Sequence, residues 1–343
     1  MKTTLMLLAI AVCLLGCQPT EQVQSFSGAA QGTTYHVRYW SEQPISQPAF
    51  QRAVEQELQR IDSLMSNYRN DSVIEKFNQQ HTTDAINVGP EIVQLVTIAK
   101  QISEATSGCY DLTIAPLFSL WGFRDQQLTI PSEQQRAQLA PQIGLNLVNI
   151  VATEQLAKSH PAVSIDLSSI AQGYSVQRLV DIAKQYGISN YLIEIGGELQ
   201  TQGSKPDGRH WRIAIDKPLP QQQQLQKIVD VIKPEPLAIM TSGTYRHYYD
   251  QAGNRYSHII DARRLAPVSH STVSVTVFHD DLSEADAWST ALLCLGSAAG
   301  MDVAKQYGLS VLFIDQHQDT FTEYSSTALQ HNRAITLTQP QYP

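Results

Sequence analysis

Residues 183–189 read AKQYGIS, and residues 304–310 read AKQYGLS. Each heptad closes a stretch of helical spacing and puts Gly where a helix ends in left-handed backbone. Each then feeds an apolar run, YLIEI in one case and VLFID in the other. Upstream of each lies a helix start that holds Asp and hydroxyls: DLSS at 166–169 and EADAWST at 284–290. The pattern predicts two similar helix–strand halves facing each other. The alternative is chance likeness of a common helix ending. If the halves are real, the two Asp/Ser/Thr clusters can meet at one interface.

The rest of the chain supplies strands and helices around this pair. GTTYHVRYW, 32–40, alternates as a strand does. Val54, Leu58, Ile61 and Met65 mark a helix over 50–65. Gly89-Pro90-Glu91 opens a second helix that runs to Thr106 and stops at Gly108. GCYDLTIAPL, 108–117, reads as a loop entering a short strand, and 126–142 as a polar surface helix and loop. Further strands are expected at 163–167, 191–195, 211–216 and 272–278. A helix is expected at 169–186, an exposed loop after Lys217, and paired strands over 237–261 with a turn at 251–254. The fold class expected is α+β, built from two similar helix–strand halves.

The chain has 343 residues, 42% of them hydrophobic, and a formal net charge of -8. That is enough for one large core. The acidic balance excludes the basic stripe that nucleic-acid binding needs. At the N-terminus, Lys2 precedes an apolar run from Leu5 to Leu15 that is too short to span a bilayer. It ends in Leu14-Leu15-Gly16-Cys17, which resembles a bacterial lipobox. The organisation expected is a signal peptide at 1–16, a lipidated tether at 17–24 and one domain at 25–343. Cys17 is the lipidation site, and the location is a lipid-anchored, periplasm-facing inner or outer membrane. An ordinary signal peptide with a chance Cys is the alternative. Of the remaining cysteines, Cys109 and Cys294 sit in apolar surroundings. Such surroundings favour two buried free thiols, although a disulfide is open to them in an oxidising compartment.

Three segments carry the chemistry. In DLSSIAQGYS, 166–175, the chain turns straight from Asp166 into a helix, with Ser169 and Gln172 at capping-box spacing. The N–H groups of a helix start suit an anion such as phosphate. In EADAWST, Asp286 and Thr290 project the same way, one turn apart. Carboxylate and hydroxyl oxygens without His or Cys suit a hard cation such as Mg²⁺. In TSGTYRHYYDQAGNRYSHIID, 241–261, Tyr256, His258 and Ile260 are expected on one side of a strand, as a wall for a flat ring with one imidazole for proton transfer. A well-capped helix, a polar surface face and a structural histidine are the plain readings of the three.

Together these segments resemble the ApbE-type flavin transferase family, the FAD:protein FMN transferases. GTTYHV, MSNYRNDS, GCYDLTIAPL, DLSSIAQGY, IGGELQTQG, TSGTYR, YSHIID and EADAWSTAL come in the family's order across nearly the whole chain. The resemblance implies an ApbE-like, T-fold-like domain with two halves around a flavin and metal cleft. It implies Mg²⁺-dependent transfer of the FMN part of FAD to a Thr of a membrane redox subunit, such as the Na⁺-translocating NADH:quinone reductase or Rnf type, with release of AMP. The alternatives are an FAD pyrophosphatase giving free FMN and AMP, and a non-enzymatic FAD-binding lipoprotein. By the same resemblance, Gln31, Tyr68, Cys109, Tyr110, Asp111, Asp166, Gln172 and Ile260 contact the flavin nucleotide. Ser169, Asp286, Ser289 and Thr290 hold the metal, and His258 and Asp286 are catalytic. Gln31 stands where Met is common in the family, Ser289 where some members have a carboxylate, and Gln172 where a charge is frequent. The family's Asp-Pro-x-Thr-Gly-x-Pro turn is reduced to Asp261-Ala-Arg-Arg-Leu-Ala-Pro267.

Overall fold

The computed structural model describes residues 22–219, 225–245, 247–251 and 253–340. The expected signal peptide and the expected lipidation site, Cys17, lie outside the described residues. Eight strands make one sheet: β1 (Gln24–Ala30), β2 (Thr33–Trp40), β3 (Asn190–Ile195), β4 (Glu198–Gln202), β5 (Leu237–Gly243), β6 (Thr272–His279), β7 (Ser310–His317) and β8 (Thr320–Ser325). They lie side by side in sequence order. Every neighbouring pair is antiparallel. β1 begins at Gln24, the last residue of the expected tether.

Five helices matter for the site: α1 (Gln47–Met65), α2 (Val73–Gln79), α3 (Pro90–Ala105), α4 (Ala171–Gln185) and α5 (Leu282–Gln306). The repeated heptads end α4 and α5 in the same way. Gly187 and Gly308 take positive φ, 74° and 66°. Ile188 N–H donates to the Ala183 carbonyl at 3.0 Å, and Leu309 N–H donates to the Ala304 carbonyl at 2.8 Å. Both are Schellman endings. The duplicated unit is therefore β1-β2-α4-β3-β4, matched by β5-β6-α5-β7-β8, with β4 pairing β5 at the join.

The sheet is covered on both faces, which is why its central strands read as apolar runs. In β5, Ala238 and Met240 enter the core shared with the helices. Leu237 and Ile239 point the other way, into a second core with Trp211, Ile213 and Val229. That second core belongs to a three-stranded sheet of residues 211–216, 225–231 and 335–338. In α1, Phe50, Val54, Leu58, Ile61 and Met65 are the buried face, as their spacing predicts.

Four local expectations need correction. Residues 108–117 do not enter a strand; Asp111 accepts the Thr113 N–H and starts a 3-10 turn at 112–114, followed by a helix at 115–120. Residues 163–167 are extended but pair with no strand. Asn67 and Asn78 satisfy their backbone instead, bonding to Ile165 and Leu167 from sites 87 to 100 residues away. Strands 248–251 and 254–257 pair around the expected 251–254 turn, but β5 is separate from that hairpin and pairs within the main sheet. Finally, no side chain caps α4; its N-cap is Ile170, and the predicted Ser169–Gln172 capping box does not form. The Ser169 hydroxyl turns instead to the Tyr110 oxygen, at 3.1 Å.

Candidate active site

A cleft of about 810 Å³ opens at the end of the sheet where the β1–β2 and β3–β4 turns lie. α4 and α5 both begin there. The first turn is Gln31-Gly32, both at positive φ. Gln31 Nε2 donates to the Ser175 hydroxyl at 2.6 Å, so the turn is fastened to the first coil of α4. The Gln31 side-chain oxygen Oε1 is buried with no hydrogen-bond partner among the described residues.

The two helix starts touch. Gly173 N–H, in the first turn of α4, donates to Asp286 Oδ2 on α5 at 2.8 Å. Only Gly permits this approach, because a Cβ there would meet the Leu282 carbonyl at 2.3 Å. Asp286 is 4% exposed. Burial disfavours its charged form and pushes the carboxyl up to about 7, against the lowering effect of the Gly173 N–H.

Thr290, one turn on, lines the same cleft. Ser289 does not. It is fully buried, and its hydroxyl donates to the Asp286 carbonyl at 2.8 Å. The Ser242 hydroxyl contacts both Ser289, at 2.7 Å, and Thr290, at 2.9 Å. Each hydroxyl has one proton, so the direction of this chain is set. Ser289 gives its proton to the carbonyl, Ser242 gives to Ser289, and Thr290 gives to Ser242. The lone pairs of Thr290 are then left for another ligand. Ser289 and Ser242 orient, and Ser242 was not singled out from the sequence because β5 reaches α5 only in the folded chain.

Asp286 and Thr290 fit Mg²⁺. A carboxylate pressed toward protonation by burial, beside a hydroxyl with available lone pairs, is a hard oxygen set that lacks a positive charge. The Ser169 hydroxyl lines the same cleft, from the start of α4, but donates to Tyr110.

The remaining predicted residues also come together here. Tyr68 stands at the rim, 88% exposed. Tyr110 is buried in the wall, and burial raises its phenol. Gln172 lines the cleft against Gly196. Asp166 receives the Ser168 N–H at 2.9 Å and lies 3.8 Å from Arg124. Asp111 reaches the cleft, but both carboxylate oxygens serve the protein: one accepts from Thr113, the other from Leu145 N–H at 2.7 Å. Burial raises its carboxyl too.

Ile260 is buried with Leu117 and Trp121, and Tyr256 packs on the same cluster. The expected strand wall is broken at Ser257, where the hairpin ends. His258 lines the cleft beyond it, with Nδ1 3.0 Å from the His247 carbonyl. Glu198, a buried carboxylate lining the cleft and accepting the Thr241 N–H at 3.0 Å, is a second residue the sequence reading missed. Its signal was the Gly196-Gly197 turn just before it.

Cys109 and Cys294 form a disulfide across 185 residues, with Cα atoms 6.0 Å apart. The expectation of two free thiols is corrected. Apolar burial suits either state, and only the fold brings the two positions within bonding reach. Asp261 lies with the two sulfurs, but the bridge consumes both. Arg263 engages Asp261 through Nε and a terminal nitrogen, at 2.9 and 2.8 Å. With its two sulfurs bonded to each other and its carboxylate engaged by Arg263, that group offers no thiolate to a metal.

The ApbE family model matches residues 31–313. The FAD:protein FMN transferase of Vibrio cholerae (classical Ogawa 395) is 36% identical over 332 residues, covering 96% of this chain and 98% of that protein. Its counterpart in Escherichia coli K12 is 33% identical over 337 residues, covering 94% and 95%. The solved flavin transferase ApbE from Vibrio cholerae superposes with a TM-score of 0.82 at 34% identity, over 90% of this chain and 99% of that one. The apo flavinyl transferase ApbE of Pseudomonas stutzeri gives 0.82 at 34%, over 90% and 96%. The match runs through the sheet, both helix starts and the cleft, and the chain belongs to the ApbE family.

Proposed function

We propose that this chain is a Mg²⁺-dependent FAD:protein FMN transferase that labels a threonine of an acceptor protein. The observation that carries the reading is the 2.8 Å bond from Gly173 N–H to Asp286, which brings the donor-bearing start of α4 and the carboxylate-bearing start of α5 into one cleft. In the reaction, the threonine oxygen bonds to the FMN-side phosphorus, the bridging P–O bond breaks, and AMP leaves. Asp286 and Thr290 would hold Mg²⁺, which when bound neutralises charge on the diphosphate.

The other roles follow from the geometry of the chain's own groups. A carbonyl only accepts, so the proton shared between His258 and the His247 carbonyl sits on His258 Nδ1. His258, which lines the cleft, is the group read as taking the threonine proton. Tyr68 at the rim and the Tyr110 wall are placed to bracket a flat ring. The unpartnered Gln31 oxygen can accept an N–H from it.

The acceptor proposed is a threonine-bearing segment of a membrane redox subunit of the Na⁺-translocating NADH:quinone reductase or Rnf type. A lipid on Cys17, facing the periplasm, would raise the local concentration of enzyme beside it. Among the described residues no helix is long and apolar enough to cross a membrane.

The test incubates the full chain with FAD, Mg²⁺ and such an acceptor domain. Flavin fluorescence that stays on the denatured acceptor band, with one AMP per label, is expected. AMP and free FMN without label would make the chain a pyrophosphatase, and tight FAD binding with neither product a storage protein.

A further inference from the structure

The Cys109–Cys294 bridge sits where three pieces of the cleft meet. Cys294 follows Asp286 and Thr290 at i+8 and i+4, so its sulfur extends their helical face by one turn. Cys109 directly precedes Tyr110, whose oxygen receives the Ser169 hydroxyl from the start of α4. Cys109 also accepts the Ala262 N–H at 3.4 Å, and the Cys294 sulfur lies 3.9 Å from the Ile260 carbonyl. The strap 260–262, just after His258, therefore lies against the bridge. Both cysteines are themselves part of the cleft wall.

α5 is interrupted just past the bridge. Its helix breaks at Gly296, where φ is 74° and ψ is 170°. The segment bearing Asp286 and Thr290 therefore ends one residue after Cys294. Beyond the bridge, His270 meets the Cys294 carbonyl at 3.3 Å, and Ser297 N–H donates to Thr272 at 2.7 Å. Those bonds fix the kink and leave the Tyr110 loop unattached.

We propose that the disulfide positions the wall of the FAD site, and that opening it weakens FAD binding. This rests on the reading of the cleft as an FAD site. With the bridge closed, the 109–111 loop, the 260–262 strap and the ligand-bearing segment of α5 share one covalent node. With it open, the loop keeps its polar ties to α4 and to residues 144–145 but loses its tie to α5. In the opening step a dithiol reductant gives two electrons and two protons. The S–S bond breaks, two thiols form, and the reductant closes to its own disulfide. A cross-link that only stabilised the fold would move melting temperature and leave FAD affinity alone.

The experiment measures FAD binding at fixed Mg²⁺, alongside KM and kcat, on the full chain before and after dithiothreitol and after reoxidation. Gain of two titratable thiols scores opening. FAD dissociation constant and KM are expected to rise roughly tenfold on opening, with kcat within about twofold, and to return on reoxidation. Cys109→Ala and Cys294→Ala should each reproduce the reduced state, and the double variant should be no worse than either. Removal of one shared bond is non-additive, whereas two separate packing losses add. Unchanged FAD affinity in the opened protein overturns the proposal, as do two additive single-variant effects. If the bridge resists the reductant, the Cys294→Ala affinity decides alone. A protein that binds no FAD even when oxidised overturns the function reading instead.

Discussion

α4 and α5 are two versions of one unit that share their ends and differ at their starts. Both close with AKQYG and the same Schellman bonds, and both feed an interior strand of the sheet. At the start of α5, Asp281 accepts the Glu284 N–H, so that end is capped by its own side chain. At the start of α4 no side chain caps the helix, and the carboxylate serving Gly173 comes from α5. One copy presents N–H donors and the other carboxylate and hydroxyl oxygens to the same cleft. A duplicated scaffold thus builds an asymmetric site: equal ends hold two helices in register, and unequal starts divide the work between them.

The largest test of that division is Asp286→Ala. Loss of transfer by at least about 100-fold is expected, with far-UV circular dichroism retained, because one group both receives α4 and would hold the cation. Transfer at the native rate would end the complementary reading of the two starts. Gly173→Ala follows. A Cβ placed 2.7 Å from Asp286 Cβ must push the helices apart, costing about 1–3 kcal/mol by denaturant titration and much of the Mg²⁺-dependent activity. A stable, fully active Gly173→Ala would show that the close approach is dispensable.

The metal-free protein should also respond to pH through Asp286. Burial raises its folded pKa from the ordinary carboxylate value of 3.8 to about 7. Between these values the native state holds the extra proton, so stability is full below about pH 4, falls as pH rises, and levels off above about 7. Melting temperature without divalent cation should therefore be lower at pH 8 than at pH 5, and Asp286→Asn should flatten the slope. Mg²⁺ should raise the melting temperature more at pH 8 than at pH 5. An equal rise at both would argue that the cation binds elsewhere.

Smaller effects sharpen the comparison. Ser242→Ala breaks the hydroxyl chain and frees the Thr290 proton; a several-fold rise in the Mg²⁺ concentration for half activity is expected, about 1 kcal/mol, with kcat at saturation largely kept. Gly187→Ala and Gly308→Ala should each cost about 1 kcal/mol, since both meet open space and lose only the ease of positive φ. Equal costs measured by chemical denaturation support the equivalence of the two ends. A large inequality would mean that the kink in α5 has changed what its ending carries.

What was legible follows from how local each signal is. The buried faces of α1 and α3 and the strands at 33–40, 190–195 and 211–216 announce themselves through side-chain spacing. The extended segment at 163–167 misled because it looks like a strand, yet Asn67 and Asn78 take the place of a neighbouring strand. Ser169 misled because capping-box spacing is also met by chance, and Tyr110 offered its hydroxyl another partner. Ser289 is a ligand only by the resemblance, and the structure buries it away from the cleft. A helix turns about 100° per residue, so Ser289, next to the cleft-facing Thr290, turns into the protein, where its hydroxyl meets the Asp286 carbonyl and Ser242.

The sequence by itself determined the two helix endings, the alternation of the strands, and an inventory of oxygen donors without His or Cys at two helix starts. These are short-range properties, read within one turn or one pleat. The tertiary structure alone decided that Gly173 meets Asp286 across 113 residues, that Cys109 bonds Cys294 across 185, and that Asp286 is buried enough to hold its proton near neutrality. Such facts depend on which surfaces the sheet brings face to face, and distance along a chain carries no measure of distance through the core.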